Sequence, residues 1–516
     1  MKKNVGLGLS GIFMFFSIGT IAQSYADEAL IFGRTNTGGS ARIQGMGGAQ
    51  VALGGDYSAA FSNPAGLGFF NRSEATLSLG QNFYKSSADY FGANSKDSRA
   101  NFNVPGFSVV FHSDKNDGKL ISGNFAISLT RTNNFNQNFT YQTDQNGNPY
   151  NSLIDYFLQQ SYGSYPKDFY NNGNSYYSLQ RLAYNSYLIG PQNEILPKAD
   201  SSIWHTYIKE PIPLQHERRQ VSGAQNQVNF AYGLNFNDRV YLGGGIGLPS
   251  FNYHSKSTYS ESFSTGPLFG FDLSEDYSIK ASGINATIGT IIRAQDFVQF
   301  GFSIATPTYF YDVNDNYNAT LTAGWDNYRY VDTTYQSHTT VFKVGKNNVV
   351  RDSISQLVAN YALTTPWRIK GGATIFIKKH GLITAEVEKV NYSKGHLTSN
   401  TEGLDFAADN SDIKSLYRNV FNIRLGGEYR YNKFRIRAGY SYMPDPYAAI
   451  QNNVDNSITG YTGGLGYRSD KFFVDLGVSL TQWNSTYVPY HIIVNTPVVK
   501  VQHSSTAVMV TVGFNL

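Results

Sequence analysis

The chain of 516 residues contains no cysteine. This absence excludes disulfides, thiol nucleophiles, cysteine metal ligands and a lipidated N-terminal cysteine. Charged side chains are also scarce, at 15% of the residues, and 41 basic against 37 acidic residues leave a formal charge of only +4. A nearly neutral chain lacks the basic surface with which proteins bind nucleic acid, so we expect no nucleic-acid partner.

Long apolar runs are confined to the start of the chain. Two lysines precede an apolar stretch from Val5 to Ala22, which is the layout of a secretory signal peptide. Small residues permit cleavage after Ala22 or Ala26, and we assign residues 1–26 to this peptide; an N-terminal membrane anchor is the alternative. No later stretch approaches the ~20 consecutive apolar residues that a transmembrane helix needs.

Aromatic residues and glycine are abundant instead. The chain has 38 tyrosines, 35 phenylalanines and 50 glycines, and aromatics make up 15% of the residues. Its mean hydropathy is nevertheless slightly negative, at -0.33. This combination is expected when apolar faces are spread over many amphipathic strands. Transmembrane barrels have such a composition, with aromatic girdles around a polar lumen.

Apolar and polar residues alternate with period two along much of the chain. In Phe434–Tyr442, for example, the even-numbered residues are apolar or aromatic, whereas Arg435 and Arg437 lie between them. The last residues alternate in the same way and end on apolar Leu516. About fourteen such runs can be marked, and an even number lets antiparallel strands close without a free edge. They lie near 73–84, 102–113, 121–131, 225–237, 239–256, 276–293, 297–309, 365–378, 380–391, 417–431, 433–443, 457–468, 471–483 and 504–514.

The connections between these runs alternate strictly between long and short. The long ones are 85–101, 132–224, 257–275, 310–364, 392–416, 444–456 and 484–503. Outer-membrane barrels have short periplasmic turns and longer extracellular loops. We therefore predict an all-β protein, a 14-stranded antiparallel transmembrane β-barrel over 73–516, whose largest extracellular loops are 132–224 and 310–364.

The stretch Ser40–Gly66, SARIQGMGGAQVALGGDYSAAFSNPAG, precedes the first run and is rich in glycine. A glycine-rich phosphate loop is one interpretation, but no Gly-Lys-Ser/Thr follows and no helix signal begins here. The pattern combines a small residue and Arg, Gly-Met-Gly-Gly-Ala, Val-Ala, an Asp followed by Ser-Ala, and Asn-Pro-Ala-Gly. In this pattern the chain resembles the N-terminal hatch of the FadL-type long-chain fatty acid transporters of the outer membrane.

The resemblance implies that residues 27–72 form a hatch, or plug, inside the barrel lumen. A segment this small cannot build a core of its own, and a barrel of about fourteen strands encloses space that must be filled. The expected hatch and ligand-path residues are Gly45, Met46, Gly47, Gly48, Asn63, Pro64, Ala65, Phe69 and Phe70. Bound lipid is expected near Met46, Phe69 and Phe70. Asn63-Pro64-Ala65 is either part of a gate or a turn in which Asn63 caps backbone groups.

The family also releases its ligand sideways, through a gap made by a kink in the third strand. That strand corresponds here to about Ile121–Arg131, where Gly123 is the one evident weak point. The lateral gap is thus expected from the resemblance alone.

Two segments of loop 132–224 have helical spacing, Tyr150–Gln160 and Tyr176–Leu188, and a third candidate helix is Ser353–Leu363 in loop 310–364. Such helices could form an extracellular groove where a hydrophobic ligand first docks. The residues expected to line it are Leu153, Phe157, Leu158, Leu179 and Leu182. Alternatively, these apolar faces pack on each other and cap the barrel.

Inward charges concentrate on the strands between 365 and 443. Arg424, Arg435 and Arg437 could hold a fatty carboxylate by charge-assisted hydrogen bonds. The alternative is a lumenal salt-bridge ladder that satisfies itself and anchors the plug.

The nine histidines are scattered, with no pair at metal-site spacing, so we expect no metal, no cofactor and no catalytic residue. An axial haem ligand at His205 or His216 stays open as an alternative. We predict a non-enzymatic, monomeric channel in the outer membrane of a Gram-negative bacterium, in contact with its lipid. It would pass hydrophobic small molecules, with long-chain fatty acids as the favoured class, by passive diffusion. The rivals are a structural or interaction component of a secretion or surface-protein system on the same fold, and a haem or nutrient receptor.

Overall fold

The computed structural model describes residues 25–169, 178–191, 203–206, 208, 212–326, 328–335, 338–344, 348–399, 401 and 403–516. Among these residues, fourteen strands form one closed antiparallel barrel, as predicted. They are β1 (Glu74–Tyr90), β2 (Ala93–Asp117), β3 (Leu120–Asn134), β4 (Leu214–Phe236), β5 (Val240–Ser262), β6 (Leu268–Gln295), β7 (Val298–Ala305, continued by Tyr309–Trp325), β8 (Asn348–Thr364, continued by Arg368–Ile377), β9 (Gly381–Asn391), β10 (Asn419–Tyr431), β11 (Phe434–Met443), β12 (Ile458–Arg468), β13 (Phe472–Tyr487) and β14 (Val499–Asn515).

Each strand pairs with its neighbours in sequence order, and the barrel closes between β14 and β1. Their ladder runs from Glu74 opposite Asn515 to Asp89 opposite Lys500. Closure pairs the first strand with the last and so leaves no outermost strand, which is the condition for a sheet to lie in lipid. At one end of the barrel, which we call the turn end, every connection between strands is only two or three residues long. At one of these connections Asn237 and Asp238, the central residues of a β-turn closed by the Arg239 N–H on the Phe236 carbonyl, both have a positive φ of 53°, as a type I′ turn requires.

The opposite end, which we call the loop end, carries most of the irregular structure. Helices α1 (Tyr25–Gly33), α2 (Ala41–Gln44) and α3 (Ala59–Ser62) precede the barrel strands in the chain. Helices α4 (Leu153–Ser161), α5 (Leu179–Asn185) and α6 (Ala407–Leu416) lie in the loops of the loop end, with the 3-10 turns Pro166–Phe169 and Tyr392–Lys394. Short strands accompany them: Gln137–Gln142 beside β4, Gly190–Pro191 with Trp204–His205, Tyr328–Tyr335 with His338–Val344, and His396–Thr398 beside β8. No helix among the described residues is long and apolar enough to span a membrane.

Several segments predicted as loops are strands. The predicted loop 85–101 is a hairpin whose turn is only Phe91-Gly92, and most of 257–275 and of the described part of 310–364 extends β5 to β8. The helix predicted at Ser353–Leu363 is wrong, because this segment is part of β8 and pairs with β7, with Ile354 opposite Ala319. Long-range pairing overrides the helical spacing of its apolar residues. The helices predicted in 150–160 and 176–188 are confirmed as α4 and α5, although residues 176 and 177 lie outside the described part.

The two halves of the barrel have opposite polarity. In the turn half, large apolar side chains are exposed on the outside and polar side chains are buried inside. Outward residues include Leu77, Phe107, Ile246, Ile288, Phe302, Ile383, Leu425, Ile436, Leu465, Val478 and Val510. Buried inward residues include Ser78, Ser128, Asn229, Thr374, Asn422 and Thr511. These outward side chains form an exposed apolar belt. Aromatic residues beside the turns, such as Tyr431, Phe434 and Phe472, border it. A belt of this kind is typical of a membrane barrel.

The loop half is built the other way round. Along β6, Asp272 and Ser274 are exposed, whereas Phe271 and Leu273 are buried inside with residues of β5, β7 and β8. Strands with this polarity fit water outside and an apolar core within. The strands therefore continue beyond the apolar belt.

Candidate functional site

Residues 25–72, the N-terminal segment, lie against the inner wall of the barrel. The segment contains α1 (Tyr25–Gly33), α2 (Ala41–Gln44), α3 (Ala59–Ser62) and the 3-10 helix Pro64–Phe69. Asp56 links two parts of the segment, because it accepts hydrogen bonds from the Ser40 hydroxyl (2.7 Å) and the Ser58 hydroxyl (2.6 Å). Ser40 also caps α2 by accepting from the Ile43 N–H. The Asp and Ser of the recognised motif thus fix the local fold.

The Asn63-Pro64-Ala65 turn joins this segment to the wall. The Asn63 side-chain oxygen accepts from the Ala65 N–H at 3.2 Å and so caps the 3-10 helix. Its amide donates to the Val51 carbonyl at 2.6 Å and to the Thr290 carbonyl of β6 at 3.2 Å. The capping role that the sequence allowed is confirmed, and Asn63 is in addition a link between segment and barrel.

Glycines of the strands mark where the segment touches the wall. A Cβ built on Gly243 of β5 would lie 2.3 Å from the Ala65 nitrogen, and one on Gly439 of β11 would lie 2.2 Å from the Gly47 nitrogen. Only residues without a side chain allow backbones to approach this closely. The contacting wall glycines come from strands around the barrel: Gly106, Gly233, Gly243, Gly289, Gly301, Gly372, Gly426, Gly439, Gly464 and Gly477. We call them the glycine belt.

The glycine belt is a functional feature that the sequence analysis missed. Its signal is present as strand glycines that are paired at the same depth in successive runs, for example Gly233, Gly243 and Gly289. Within the segment, Gly45, Met46 and Gly47 contact this belt on β10, β11 and β12, whereas Gly48 lies against Thr37 of the segment itself.

A lumenal group of ion pairs also contacts the N-terminal segment. Glu386 of β9 accepts hydrogen bonds from the backbone N–H groups of Gln50 (2.9 Å) and Val51 (2.8 Å). Arg424 of β10 pairs with Glu386 at 2.9 Å and with Glu388 at 2.8 Å. These groups are almost fully buried, so each charge needs its partner. The ladder anchors the segment through Glu386.

The three arginines predicted as carboxylate partners have different surroundings. Arg424 is occupied by two glutamates, and Arg437 pairs with Glu428 (2.8 Å) and Asp475 (2.7 Å). The contacts of Arg424 and Arg437 therefore match the predicted alternative of a lumenal salt-bridge ladder. Arg435 donates to the Asn432 and Phe434 carbonyls and has no carboxylate within ion-pair distance among the described residues.

The predicted docking residues are brought together, but not as an open groove. Leu153, Phe157, Leu179 and Leu182 are buried in one apolar cluster, against which Leu158 packs. The cluster also contains residues of α1 and of β5 to β8. The expectation of an open extracellular groove is therefore corrected, because the helix faces pack on each other and on the inner wall.

Helix α1 lies in the same apolar core and carries one buried acid. Phe32 stacks on Phe251 of β5 with ring centroids 3.7 Å apart. Glu28 accepts hydrogen bonds from the hydroxyls of Tyr277 and Tyr361. Burial raises the pKa of Glu28 to about 8, although both tyrosine hydrogen bonds act in the opposite direction.

The wall has a seam between β2 and β3. Their ladder runs from Asp117 opposite Leu120 to Gly106 opposite Thr130 and ends there. Beyond it β2 pairs only with β1, whereas β3 stays with β4 up to Asn134. The ladder ends beside a bulge of β2 that contains Pro105, a residue without a backbone donor.

Side chains rather than backbone bonds span this seam. Arg99 donates to the Val221 carbonyl at 2.7 Å, and Asn134 contacts Asn101 at 3.5 Å. Gly123, expected to be the weak point, pairs regularly with Ser113 and Leu234 on both sides. The discontinuity therefore lies further along β3, beyond Thr130.

A cavity of about 480 Å³ lies at the turn end, between the N-terminal segment and the strand ends. Phe69 lines it and stacks on Tyr241 with centroids 3.9 Å apart. Met46 and Phe70, also expected beside bound lipid, are instead packed in small apolar clusters. Of the three, only Phe69 borders open space.

No group of three or more potential metal-ligating side chains lies together among the described residues. His216 is exposed on the outside of β4, between the buried Gln215 and Glu217. This placement does not favour a lumenal haem site that uses His216.

The closed fourteen-stranded barrel, its apolar belt and the segment against its inner wall define an outer-membrane type of β-barrel with the FadL-type fold. Among solved structures, it is similar to the toluene transporters TodX of P. putida and TbuX of Ralstonia pickettii, each 13% identical with a TM-score of 0.51 over 93% of this chain and 99% of theirs. A Pseudomonas aeruginosa FadL homologue is 12% identical with a TM-score of 0.53, over 93% of this chain and 98% of that chain.

At this identity the likeness shows a common fold, and at that level it confirms the resemblance found in Ser40–Gly66. No family model and no curated protein sequence matches the chain.

Proposed function

We propose that the protein is a passive channel for hydrophobic compounds in the outer membrane of a Gram-negative bacterium, with the turn end in the periplasm. Residues 27–72 act as its plug, and long-chain fatty acids are the favoured substrates. In this proposal residues 1–26 are a signal peptide that directs export, and the channel works as a monomer.

The contacts of the N-terminal segment support the role of a plug. The segment meets the glycine belt on strands around the barrel and is anchored by Glu386, so its backbone lies directly on the wall. Contacts this close leave little room for a straight axial route past the segment while it stays in place. A solute that enters from the loop end therefore needs another exit.

The observation that carries the proposal is the seam between β2 and β3. A backbone ladder that stops at Gly106 and Thr130 leaves a stretch of wall held only by side chains. Side chains can move aside at far lower cost than a ladder of paired strands. A greasy solute that leaves here enters the bilayer without crossing water, which the hydrophobic effect favours.

Cross-linking the seam tests this route. The chain has no cysteine, so Asn101→Cys with Asn134→Cys introduces the only thiols. The replaced side chains lie 3.5 Å apart across the seam, within reach of a disulfide or a short bifunctional reagent. We expect oxidation to reduce uptake of radiolabelled oleate into cells or vesicles by about tenfold or more, with recovery after reduction.

The matched control is Thr258→Cys with Ser274→Cys. These side chains also lie close, at 3.3 Å, but on the fully paired strands β5 and β6. Its cross-link should leave uptake unchanged. Equal uptake by the oxidised and reduced seam variant would rule out the lateral route, and lack of oleate uptake by the unmodified protein would rule out this substrate.

A further inference from the structure

The cavity at the turn end is rich in arginine. Six guanidinium groups line it, from Arg42, Arg72, Arg293, Arg430, Arg435 and Arg468. Only three carboxylates, those of Asp56, Glu74 and Glu428, share the lining. The lining therefore carries an excess of three positive charges, in a chain whose formal charge is only +4 overall.

Half of these arginines are paired inside the protein and half are not. Arg42 and Arg430 contact Glu428, at 3.6 and 2.8 Å, and Arg468 contacts Asp475 at 2.8 Å. The other three have no carboxylate within ion-pair distance among the described residues; they are Arg72, Arg293 and Arg435.

Two donors in the lining are buried without an acceptor among the described residues, the Nε of Arg293 and the Nη1 of Arg468. A buried guanidinium N–H without a partner is costly unless an anion or water accepts from it. Both side chains also lie over aromatic rings, Arg293 at 5.6 Å from Phe69 and Arg468 at 4.1 Å from Phe473. Stacking holds each guanidinium plane while leaving its edge available for hydrogen bonds.

Aromatic surface accompanies the charge. Phe69, Phe376 and Phe473 line the same cavity as the arginines. Its volume of about 480 Å³ lies within the range of about 300–1,000 Å³ that is typical of small-molecule sites. Guanidinium groups donate two parallel hydrogen bonds to a carboxylate, and phenylalanine rings pack against an alkyl chain or a ring.

We propose that this cavity, the arginine vestibule, is a binding site for amphiphilic organic anions, in which a carboxylate meets the unpaired arginines and an apolar tail meets the phenylalanines. Binding of such anions does not require transport. The vestibule lies at the turn end, apart from the lateral route, and its assignment to the periplasmic side rests on the proposed function.

The test compares three probes by isothermal titration calorimetry on the full barrel in phosphatidylcholine nanodiscs. Octanoate has both charge and tail, octan-1-ol has only the tail, and acetate has only the charge. We expect octanoate to bind at least about tenfold more tightly than either of the others. Arg293→Gln combined with Arg435→Gln should weaken octanoate by about tenfold or more and leave octanol unchanged.

Arg239→Gln is the matched control. Arg239 also lies at the turn end, but it is half exposed and pairs with Asp296 outside the vestibule. Its octanoate affinity should equal that of the wild type. Because Arg435 also supports a turn, Arg293→Gln alone and Arg293→Lys are included, with circular dichroism of each; the lysine variant should retain part of the affinity.

Other outcomes would overturn the proposal. Equal affinities for octanoate and octanol would mean that the site recognises only the apolar tail. Equal affinities for octanoate and acetate would mean that the site recognises only the charge. Octanoate binding that is unaffected in the folded arginine variants would locate the site elsewhere. If octanoate binds as expected while the wild type takes up no hydrophobic compound, the vestibule stands and the proposed transport function fails.

Discussion

At the scale of single residues, the fit between segment and barrel depends on which glycine faces inwards. Gly243 and Gly244 are neighbours on β5, yet only the first touches the N-terminal segment. A Cβ on Gly243 would lie 2.3 Å from the Ala65 nitrogen, whereas a Cβ on Gly244 would find its nearest atom, on Ile288, at 3.8 Å. Replacing each glycine in turn therefore separates the loss of the close contact from the general effect of losing a strand glycine.

We expect Gly243→Ala to destabilise the protein by about 1–3 kcal/mol, because the added methyl group must displace backbone on one side. Gly244→Ala should change stability little. Denaturant unfolding of both variants in the same vesicles measures this, and solute leakage reports whether the segment has moved. Equal stability and equal leakage in the two variants would show that the close contact is not required.

At the same scale, Glu386 is both an ion-pair partner and a backbone acceptor. Its buried pair with Arg424 has a large desolvation cost, so it is weak evidence for added stability by itself. Its hydrogen bonds from Gln50 and Val51 give it a second role, to hold the N-terminal segment at one register on the wall.

At the scale of elements, α1 depends on its surroundings. A nine-residue helix is marginal in isolation, so its stability comes from packing in the loop half. Glu28 is the buried acid of this helix, beneath Tyr277 and Tyr361. The nearby charges of Asp27 and Asp315 also raise its pKa, though less than burial does.

The raised pKa of Glu28, about 8 against 4.5 as the usual value, predicts a pH dependence of stability. Between these values the folded protein keeps the proton that the unfolded chain has lost, so the free energy of unfolding decreases as the pH rises. The contribution of Glu28 to the free energy of unfolding is fully present below about pH 4.5 and is lost above about pH 8. Denaturant midpoints from about pH 5 to about pH 9 measure it.

Glu28→Gln should remove this part of the slope, since the amide carries no proton that titrates. Asp296→Asn is the control, because that carboxylate is 89% exposed at the turn end and should leave the slope as it is. A Glu28→Gln protein with the full wild-type slope would contradict the assignment.

At the scale of the whole molecule, the reversal of polarity along the barrel determines where lipid can lie. The apolar belt surrounds the turn half, in which the interior is polar. The loop half has polar residues outside and an apolar core that contains α1, α4 and α5. The molecule therefore joins a membrane barrel to a cap that is built like a soluble protein.

Lysine substitutions at two outward positions test this division. Ile288 lies in the belt and is 64% exposed, whereas Thr258 is exposed on the loop half of β5. Ile288→Lys should lower the free energy of unfolding from lipid vesicles by about 2–4 kcal/mol, as a cation near the bilayer midplane does. Thr258→Lys should have almost no effect. Similar losses at both positions would place the lipid boundary elsewhere.

The sequence alone determined the number and order of the barrel strands, because period-two alternation and connection length are local properties that each segment carries. Within Ser40–Gly66 it allowed the cap at Asn63, which involves near neighbours in the chain, but it indicated no helix where α2 and α3 lie and did not predict the cap at Ser40. What it left open depends on contacts between distant segments. Single-residue patterns did not show that 353–363 pairs as a strand, that Leu153 and Phe157 are packed rather than open, or that Arg424 is occupied by glutamates.

Only the tertiary structure decided which glycines touch the N-terminal segment, where the β2–β3 ladder ends and which arginines gather at the turn end. The arginines of the vestibule come from the N-terminal segment and from β6, β10, β11 and β12, so no local spacing predicts their proximity. The polarity of the loop half was hidden for a similar reason. An alternating strand has the same period whichever face is apolar, and only closure of the barrel decides which face is inside.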